Sequence, residues 1–206
     1  MKFLAEVEVR DILPRSFYAR DTITVARELL GKRLCHRLPD GEVLCGMIVE
    51  TEAYLGIGDK AAHSYGDRRT GRTETMYAEA GTAYVYLIYG LYHCLNAVTR
   101  EAGVPEAVLI RALAGEQGHA RWAKHFPKLK PRQWLSGPGR LCRALHINKS
   151  HNGLDLTTSA LWIEDSDVPL EHEIEAGPRI GVDYAEEAAA WPQRFYLKGH
   201  AAVSKG

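Results

Sequence analysis

Seven consecutive residues, Val43-Leu44-Cys45-Gly46-Met47-Ile48-Val49, suit the interior of a sheet, and the chain then sets Glu50, Glu52 and Tyr54 at every second position. In an extended chain alternate residues share a face, so a strand here lines up two carboxylates and a phenol. Like charges so placed repel. What needs two carboxylates and a phenol on one face is the question the chain poses. Three readings fit the residues alone: a solvated edge strand, a metal held by the glutamates with His63, or a general base in a pocket beside a structural ion-pair partner. The edge reading sits badly with the apolar run before the glutamates. The metal reading lacks ligands, because a catalytic zinc takes three from the protein and only His63 follows nearby. The base reading calls for aromatics and a polar orienting group, and Tyr54 and His63 are local candidates.

The rest of the chain predicts strands and short helices in irregular order. Asp21 is placed to cap a helix through Ile23, Ala26, Arg27, Leu29 and Leu30, which Gly31 ends. Residues 34–38 and 42–50 read as strands joined by the turn sequence Pro39-Asp40-Gly41. A polar loop spans 66–74. Residues 82–92, TAYVYLIYGLY, are β-branched and aromatic and predict one strand, weakened or bent at Gly90. Tyr84, Tyr86 and Tyr92 would then share a face, with Tyr89 projecting from the other. Such a stripe is commonly core packing, while stacking on bases is the other use of these rings. Residues 107–113 form a further strand, 118–126 a helix, and Ser136-Gly137-Pro138 opens another helix through Leu141, Cys142 and Leu145. Short strands are expected near 160–163, 179–182 and 194–198. This order predicts an α+β fold with a mainly antiparallel sheet rather than a doubly wound parallel one. With no linker or repeat, the 206 residues fit one domain, 1–206, with residues 1–15 as an N-terminal arm.

The opening MKFLAEVEVRDILPRSF breaks its hydrophobic run at Glu6, Glu8 and Arg10, unlike a signal peptide, and no later stretch is long enough to cross a membrane. A cytoplasmic chain without a membrane partner is expected. Cys35, Cys45, Cys94 and Cys142 stand apart in apolar contexts, which predicts four buried reduced thiols. Net charge is zero, yet the distribution is uneven. No acid occurs from Gln117 to Leu154, where Arg121, Lys124, Lys128, Lys130, Arg132, Arg140, Arg143 and Lys149 accumulate. From Asp155 to Glu187 the acids Asp155, Glu164, Asp165, Asp167, Glu171, Glu173, Glu175, Asp183, Glu186 and Glu187 face Arg179 alone. Such asymmetry makes either a bipolar surface that draws phosphates or two faces that neutralise each other.

A carboxylate beside tyrosines suits a pocket that holds a planar base, and here the residues reach a resemblance. IVETEAYLG (48–56) followed by DKAAHS (59–64) resembles the signature of the alkyladenine (3-methyladenine) DNA glycosylase family. The likeness continues in GTAYVYLIYGLYHCLN (81–96), VLIRAL (108–113), LSGPGRLCRALHINKSHNGLDL (135–156), PRIGV and RFYLKG. These blocks stand in the family's order and cover nearly the whole chain from about Phe17.

The resemblance implies a single compact domain with a curved sheet, surrounding helices and a tyrosine-bearing β-element that enters the DNA minor groove. It implies a monofunctional DNA glycosylase that flips out alkylated or deaminated purines and excises them hydrolytically in base excision repair. Glu52 would be the general base that activates water, with Arg111 and the Ile180 backbone carbonyl holding that water. Tyr54, His63 and Tyr86 would enclose the flipped base, and Asn96 would crowd out the amino group of normal guanine. Tyr89 would fill the gap left in the groove, and Glu50 would be structural. Phosphate contacts would come from Arg68, Arg69, Thr70 and Arg72, from the basic region after Gln117, and more weakly from the turn Gly137-Pro138-Gly139-Arg140 at a helix start. No cofactor or metal is implied. The partner would be damaged double-stranded DNA, met by a monomer at the nucleoid.

This chain departs from the family where Thr70-Gly71-Arg72-Thr73 replaces the common Thr-Pro-Arg-Asn and Glu74 replaces a basic residue, which predicts a looser loop with a weaker grip on phosphates. His93 and Leu91 beside Tyr89 also vary from some relatives. Leu109, near the pocket by analogy, reads equally as core. Two other functions fit parts of the pattern: a non-catalytic lesion or nucleic-acid binder, and a hydrolase of free nucleosides. The first has no need of a water-activating Glu52 and Arg111, and the second leaves Tyr89 and the basic loops without a purpose.

Overall fold

Asp21 caps the first substantial helix as its sequence requires, its carboxylate accepting from the Thr24 backbone N–H at 2.9 Å. The structure, a computed structural model, describes residues 11–166 and 173–204. In chain order it forms α1 (Arg15–Tyr18), α2 (Thr22–Glu28), β1 (Arg33–Arg37), β2 (Val43–Tyr54), β3 (Ala83–Ile88), β4 (Tyr92–Thr99), β5 (Glu106–Gln117), α3 (His119–His125), α4 (Pro138–Ala144), β6 (Leu161–Glu164), β7 (Ile174–Gly177) and β8 (Arg194–Leu197). The pairings described are all antiparallel, in the order β3-β4-β5-β2-β1-β6, with β8 joining β2 to β7. This is the α+β architecture that the irregular element order predicts. No helix among the described residues is long and apolar enough to cross a membrane.

The strand with the carboxylates changes partners halfway. On one side β2 pairs with β1 through Met47 and then, past bulges between Ile48 and Thr51, with β8 at Glu50, Thr51 and Glu52. Its other side follows β5 throughout. Bulges bend a strand and re-aim its side chains, which lets the carboxylates leave the core side by side. The main core lies between the sheet and its helices, with Val25, Leu29, Leu34, Ile48, Ile110, Trp122 and Leu141 among its members.

Three expectations are corrected. Residues 82–92 do not make one strand: β3 and β4 form a hairpin in which Tyr89 and Gly90 take positive φ, 52° and 68°. Tyr89, Gly90 and Leu91 form a three-residue loop between the paired Ile88 and Tyr92, and its two left-handed residues turn the chain back. Tyr89 is therefore placed at a tip, 81% exposed, rather than by strand parity. Cys35 and Cys45 are joined in a disulfide across β1 and β2, leaving only Cys94 and Cys142 as buried thiols. Each stands five residues from Asp40, so the hairpin register sets them opposite each other. Residues 179–182 form no strand, since the chain bends there after β7. The helix expected from Pro138 does form, as Pro138–Ala144 capped at Leu145, and its first turn is closely packed: a Cβ on Gly139 would lie 2.9 Å from Tyr92. Of the expected N-terminal arm, residues 1–10 lie outside the described residues, while Ile12 and Leu13 already pair with the β6 edge.

Candidate active site

Register alone assembles one wall. Tyr84 pairs with Asn96, Asn96 with Leu109, and Leu109 with Glu52, so one row crosses four strands on a single face. Two residues along the strands, Tyr86, Cys94 and Arg111 continue that face. With Tyr54, His63, Arg72, Tyr89, Ile180 and Tyr184 they line a cavity of about 420 Å³.

Both glutamates of the opening motif are fully buried, yet their surroundings differ. Glu50 accepts from Arg111 Nε at 3.0 Å, Arg194 Nε at 2.7 Å, and the Ser204 backbone N–H and hydroxyl at 2.7 and 3.0 Å. Its Oε1 takes three of these donors and its Oε2 the Ser204 N–H, and two guanidiniums answer its charge. Glu52 Oε1 accepts from the Ile180 N–H at 2.8 Å and faces Arg111 Nη1 at 3.2 Å. Its Oε2 has the Tyr54 hydroxyl alone, at 2.9 Å. Tyr54, Arg111 and Ile180 all form cavity wall, so Glu52 meets the cavity through them. Burial pushes the Glu52 carboxyl above its usual range, against the pull of the Arg111 guanidinium and the Ile180 N–H. A desolvated carboxylate of raised basicity with one oxygen lightly held can take a proton from water.

The aromatic walls are held from behind. His63 Nδ1 lies 2.9 Å from the Tyr84 hydroxyl, and its ring stands edge-on to Tyr86 with centroids 4.6 Å apart. Burial, then the charges of Arg72 and Arg68, bring His63 down to about 4, so it is neutral at physiological pH. Asn96, itself buried, donates to the Tyr84 backbone carbonyl at 3.1 Å. The Arg179 guanidinium lies 4.8 Å from the Tyr54 ring centroid, and its Nη2 donates to Asp59 at 2.8 Å. Asp59 also accepts the Leu55 and Ala61 N–H groups, both at 3.0 Å, while Arg179 Nη1 reaches the Ala53 carbonyl at 2.9 Å. This buried pair ties the end of β2 to the segment that delivers Ile180.

The structure thus gathers Arg111, Tyr54, His63, Tyr86, Asn96, Ile180, Arg72 and Tyr89 around one cavity, with Glu52 buried behind the Tyr54–Arg111–Ile180 wall. Arg68 and Thr70 stand apart, on a shallow groove alongside that shares His63, Arg72 and Tyr184 with it. Arg69 is taken up by Glu74, at 2.9 and 2.6 Å, and stacks on Tyr77. Thr73, where the family commonly has Asn, closes the 68–73 loop by accepting the Thr70 N–H at 2.8 Å and donating to the Arg68 carbonyl at 2.9 Å. Sequence reasoning missed Asp59, Arg179, Arg194, Ser204 and Tyr184, and left Tyr84 out of the site. Strand alternation signals Tyr84. For Arg179 and Asp59, 120 residues apart, there is no local signal. One group of metal-ligating type occurs among the described residues, Cys35, Cys45 and Glu164, and none of these lines the cavity.

The charge asymmetry is also resolved by geometry. Asp155 pairs with Arg15, Asp165 with Lys32, Glu164 with Arg33, Glu186 and Glu187 with Lys60, and Glu173 and Glu175 with Lys198. Asp167 and Glu171 lie outside the described residues. In the basic segment Arg121 pairs with Asp40 and Glu42. Among the described residues, Lys124, Lys128, Lys130, Arg132, Arg140, Arg143 and Lys149 enter no ion pair. The acids are spent elsewhere, and the basic segment keeps its charge. Arg140 and Arg143 line a groove of about 470 Å³ that shares Tyr89 and Arg111 with the cavity.

Comparison with known proteins gives the same direction. The family model for methylpurine-DNA glycosylase matches residues 16–201. A Bacillus cereus (strain G9842) protein named "Putative 3-methyladenine DNA glycosylase" is 52% identical over 202 residues, covering 93% of this chain and 98% of its own. Proteins of the same name from Bacillus cereus (strain Q1) and Bacillus thuringiensis (strain Al Hakam) are each 50% identical with the same coverage. The chain belongs to the methylpurine-DNA glycosylase family, and with it to the DNA N-glycosylases.

Proposed function

We propose that this protein receives an alkylated or deaminated purine, flipped from duplex DNA, in the Tyr54–His63–Tyr86 cavity and hydrolyses its bond to the sugar with Glu52 as general base. The observation that carries this is the asymmetry of Glu52: among the described residues Oε1 is engaged by Ile180 and Arg111, and Oε2 by the Tyr54 hydroxyl alone. A nucleophilic water shares or displaces that hydroxyl. Its oxygen bonds to the sugar C1′ as the C1′–N bond breaks, its proton passes to Glu52, and the bonding electron pair leaves with the base. The carboxylate also stabilises the positive charge that develops on the sugar. Arg111 holds the water and keeps Glu52 ionised, and the Ile180 carbonyl is its third partner.

The same frame suits recognition. Tyr54, Tyr86 and His63 sandwich the planar base, and Asn96 narrows the pocket against the amino group of guanine. The exposed Tyr89 at the hairpin tip enters the minor groove and fills the gap left by the flipped nucleotide. Arg68, Thr70 and the cations of the basic segment, which enter no ion pair among the described residues, hold the phosphates. The reaction is hydrolysis, with water rather than a lysine as the nucleophile, and its product is an intact abasic strand. The protein works as a monomer in base excision repair at the nucleoid.

The test is single-turnover excision from a labelled duplex with one hypoxanthine or ethenoadenine, developed with alkali. The native protein should expose an abasic site, and Glu52→Gln should lose at least about 100-fold in rate while still binding the lesion. A Glu52→Gln variant of native rate would remove Glu52 as the base. Lesion binding without cleavage by the native protein would make it a binder.

A further inference from the structure

One charged group faces the cavity without an opposite charge. The glutamates beside it are answered within the sheet, Glu50 by Arg111 and Arg194 and Glu52 by Arg111. Asp59 is answered by Arg179 and lies behind Tyr54. Arg72 lines the cavity too, its guanidinium 5.0 Å from the Tyr86 ring centroid, and no carboxylate lies within ion-pair distance of it among the described residues. Its neighbour Arg69, by contrast, is neutralised by Glu74. Among the described residues the lining therefore carries one net positive charge, on an exposed arginine beside a ring that also lines the cavity. A neutral His63 does nothing to offset it.

We propose that Arg72 is a specificity-determining residue that biases the cavity toward neutral purine lesions, such as hypoxanthine and ethenoadenine, over cationic N-alkylated purines. This rests on the glycosylase reading above and adds the substrate class to it. A cationic base stacking on Tyr86 meets a like charge beside that ring, which offsets the attraction the ring would otherwise give. A neutral lesion has the opposite electrostatics. When its C1′–N bond breaks, the bonding pair leaves with the base, which becomes an anion until it takes a proton from solvent. Arg72 stabilises that charge as it develops, and the departing cationic purine, which leaves neutral, gains nothing from it.

The experiment compares single-turnover rates, with enzyme saturating, on matched duplexes carrying hypoxanthine or 7-methylguanine, for the native protein, Arg72→Gln and Arg72→Lys. Arg72 is exposed, so both variants should fold, and equal melting temperatures check this. Arg72→Gln should lower the hypoxanthine-to-7-methylguanine rate ratio by about tenfold, the effect of removing one charge at contact range, and Arg72→Lys should keep most of it. Equal slowing on both lesions, or a ratio that rises, would overturn the proposal and leave Arg72 as a phosphate contact in a working glycosylase. If the native protein excises neither base, the glycosylase reading itself falls, and this assignment with it.

Discussion

Glu50 and Glu52 stand two residues apart on one strand and are both fully buried, yet they have opposite expected effects when neutralised. Glu50 compensates two guanidiniums, so Glu50→Gln leaves buried charge unanswered and should cost about 3–5 kcal/mol, read as a large fall in melting temperature. Glu52 is different because burial raises its carboxyl. A raised carboxyl contributes stability below the usual carboxylate range and loses it as pH rises through the raised value. At neutral pH ionised Glu52 therefore costs stability, and Glu52→Gln should raise the melting temperature, by about 2–4 °C if the relief is of order 1 kcal/mol, while abolishing excision. The same shift fixes the acid limb of activity: excision should fall as pH drops through a midpoint above the ordinary carboxylate range. His63 is brought from 6.5 down to about 4. The fold favours its neutral form, so its contribution to stability is lost between those two values as pH falls. His63→Gln should flatten that part of the acid denaturation profile and leave the neutral-pH rate without a histidine limb to lose.

At the scale of elements, the β3–β4 hairpin separates function from stability. Tyr89 sits at the tip, 81% exposed, so Tyr89→Ala should change stability by less than about 0.5 kcal/mol. Lesion-duplex affinity should nevertheless fall by about tenfold, the lower range for a stacked aromatic. Equal affinity in a binding titration would remove the hairpin from the DNA interface. The β1–β2 hairpin makes the opposite case. The Cys35–Cys45 disulfide closes a loop with sequence separation 10, and opening it should cost about 3 kcal/mol by loop entropy. Thermal melts with and without reductant should show that difference, and Cys35→Ser should reproduce the reduced state. In a reducing cytosol the hairpin would work without this bond, and β2 would rely on β5 and β8 to hold the carboxylates in place.

For the whole molecule, a net charge of zero conceals a working asymmetry. The acids between residues 155 and 187 pair mostly with cations from the first 60 residues and with Lys198, and the exposed cations from Lys124 to Lys149 enter no ion pair among the described residues. DNA affinity should therefore fall steeply with salt, each phosphate contact contributing about 0.9 to the log–log slope. Arg140→Ala should reduce that slope by about one and weaken binding to damaged and undamaged duplexes alike. A slope indifferent to Arg140 would place the DNA on another face.

Much of this was legible locally. Asp21 capping α2, the turn at Asp40, the antiparallel sheet and the aromatic face follow from capping, turn chemistry and strand alternation, all of which act within a few residues. The motif around Glu52 and the match around Arg111 also lie in short contiguous blocks. Local rules stopped at the hairpin tip, where two left-handed residues turned one expected strand into two, and at Cys35 and Cys45, whose hairpin register outweighed their separation along the chain. Alternation put Glu50 and Glu52 on an equal footing. Only the tertiary structure told them apart, by bringing β8 and Ser204 to one and Ile180 to the other from more than 120 residues away. Periodicity can say which face a side chain takes, but the counter-charge of a buried group is chosen by whichever distant segment the sheet register sets against it.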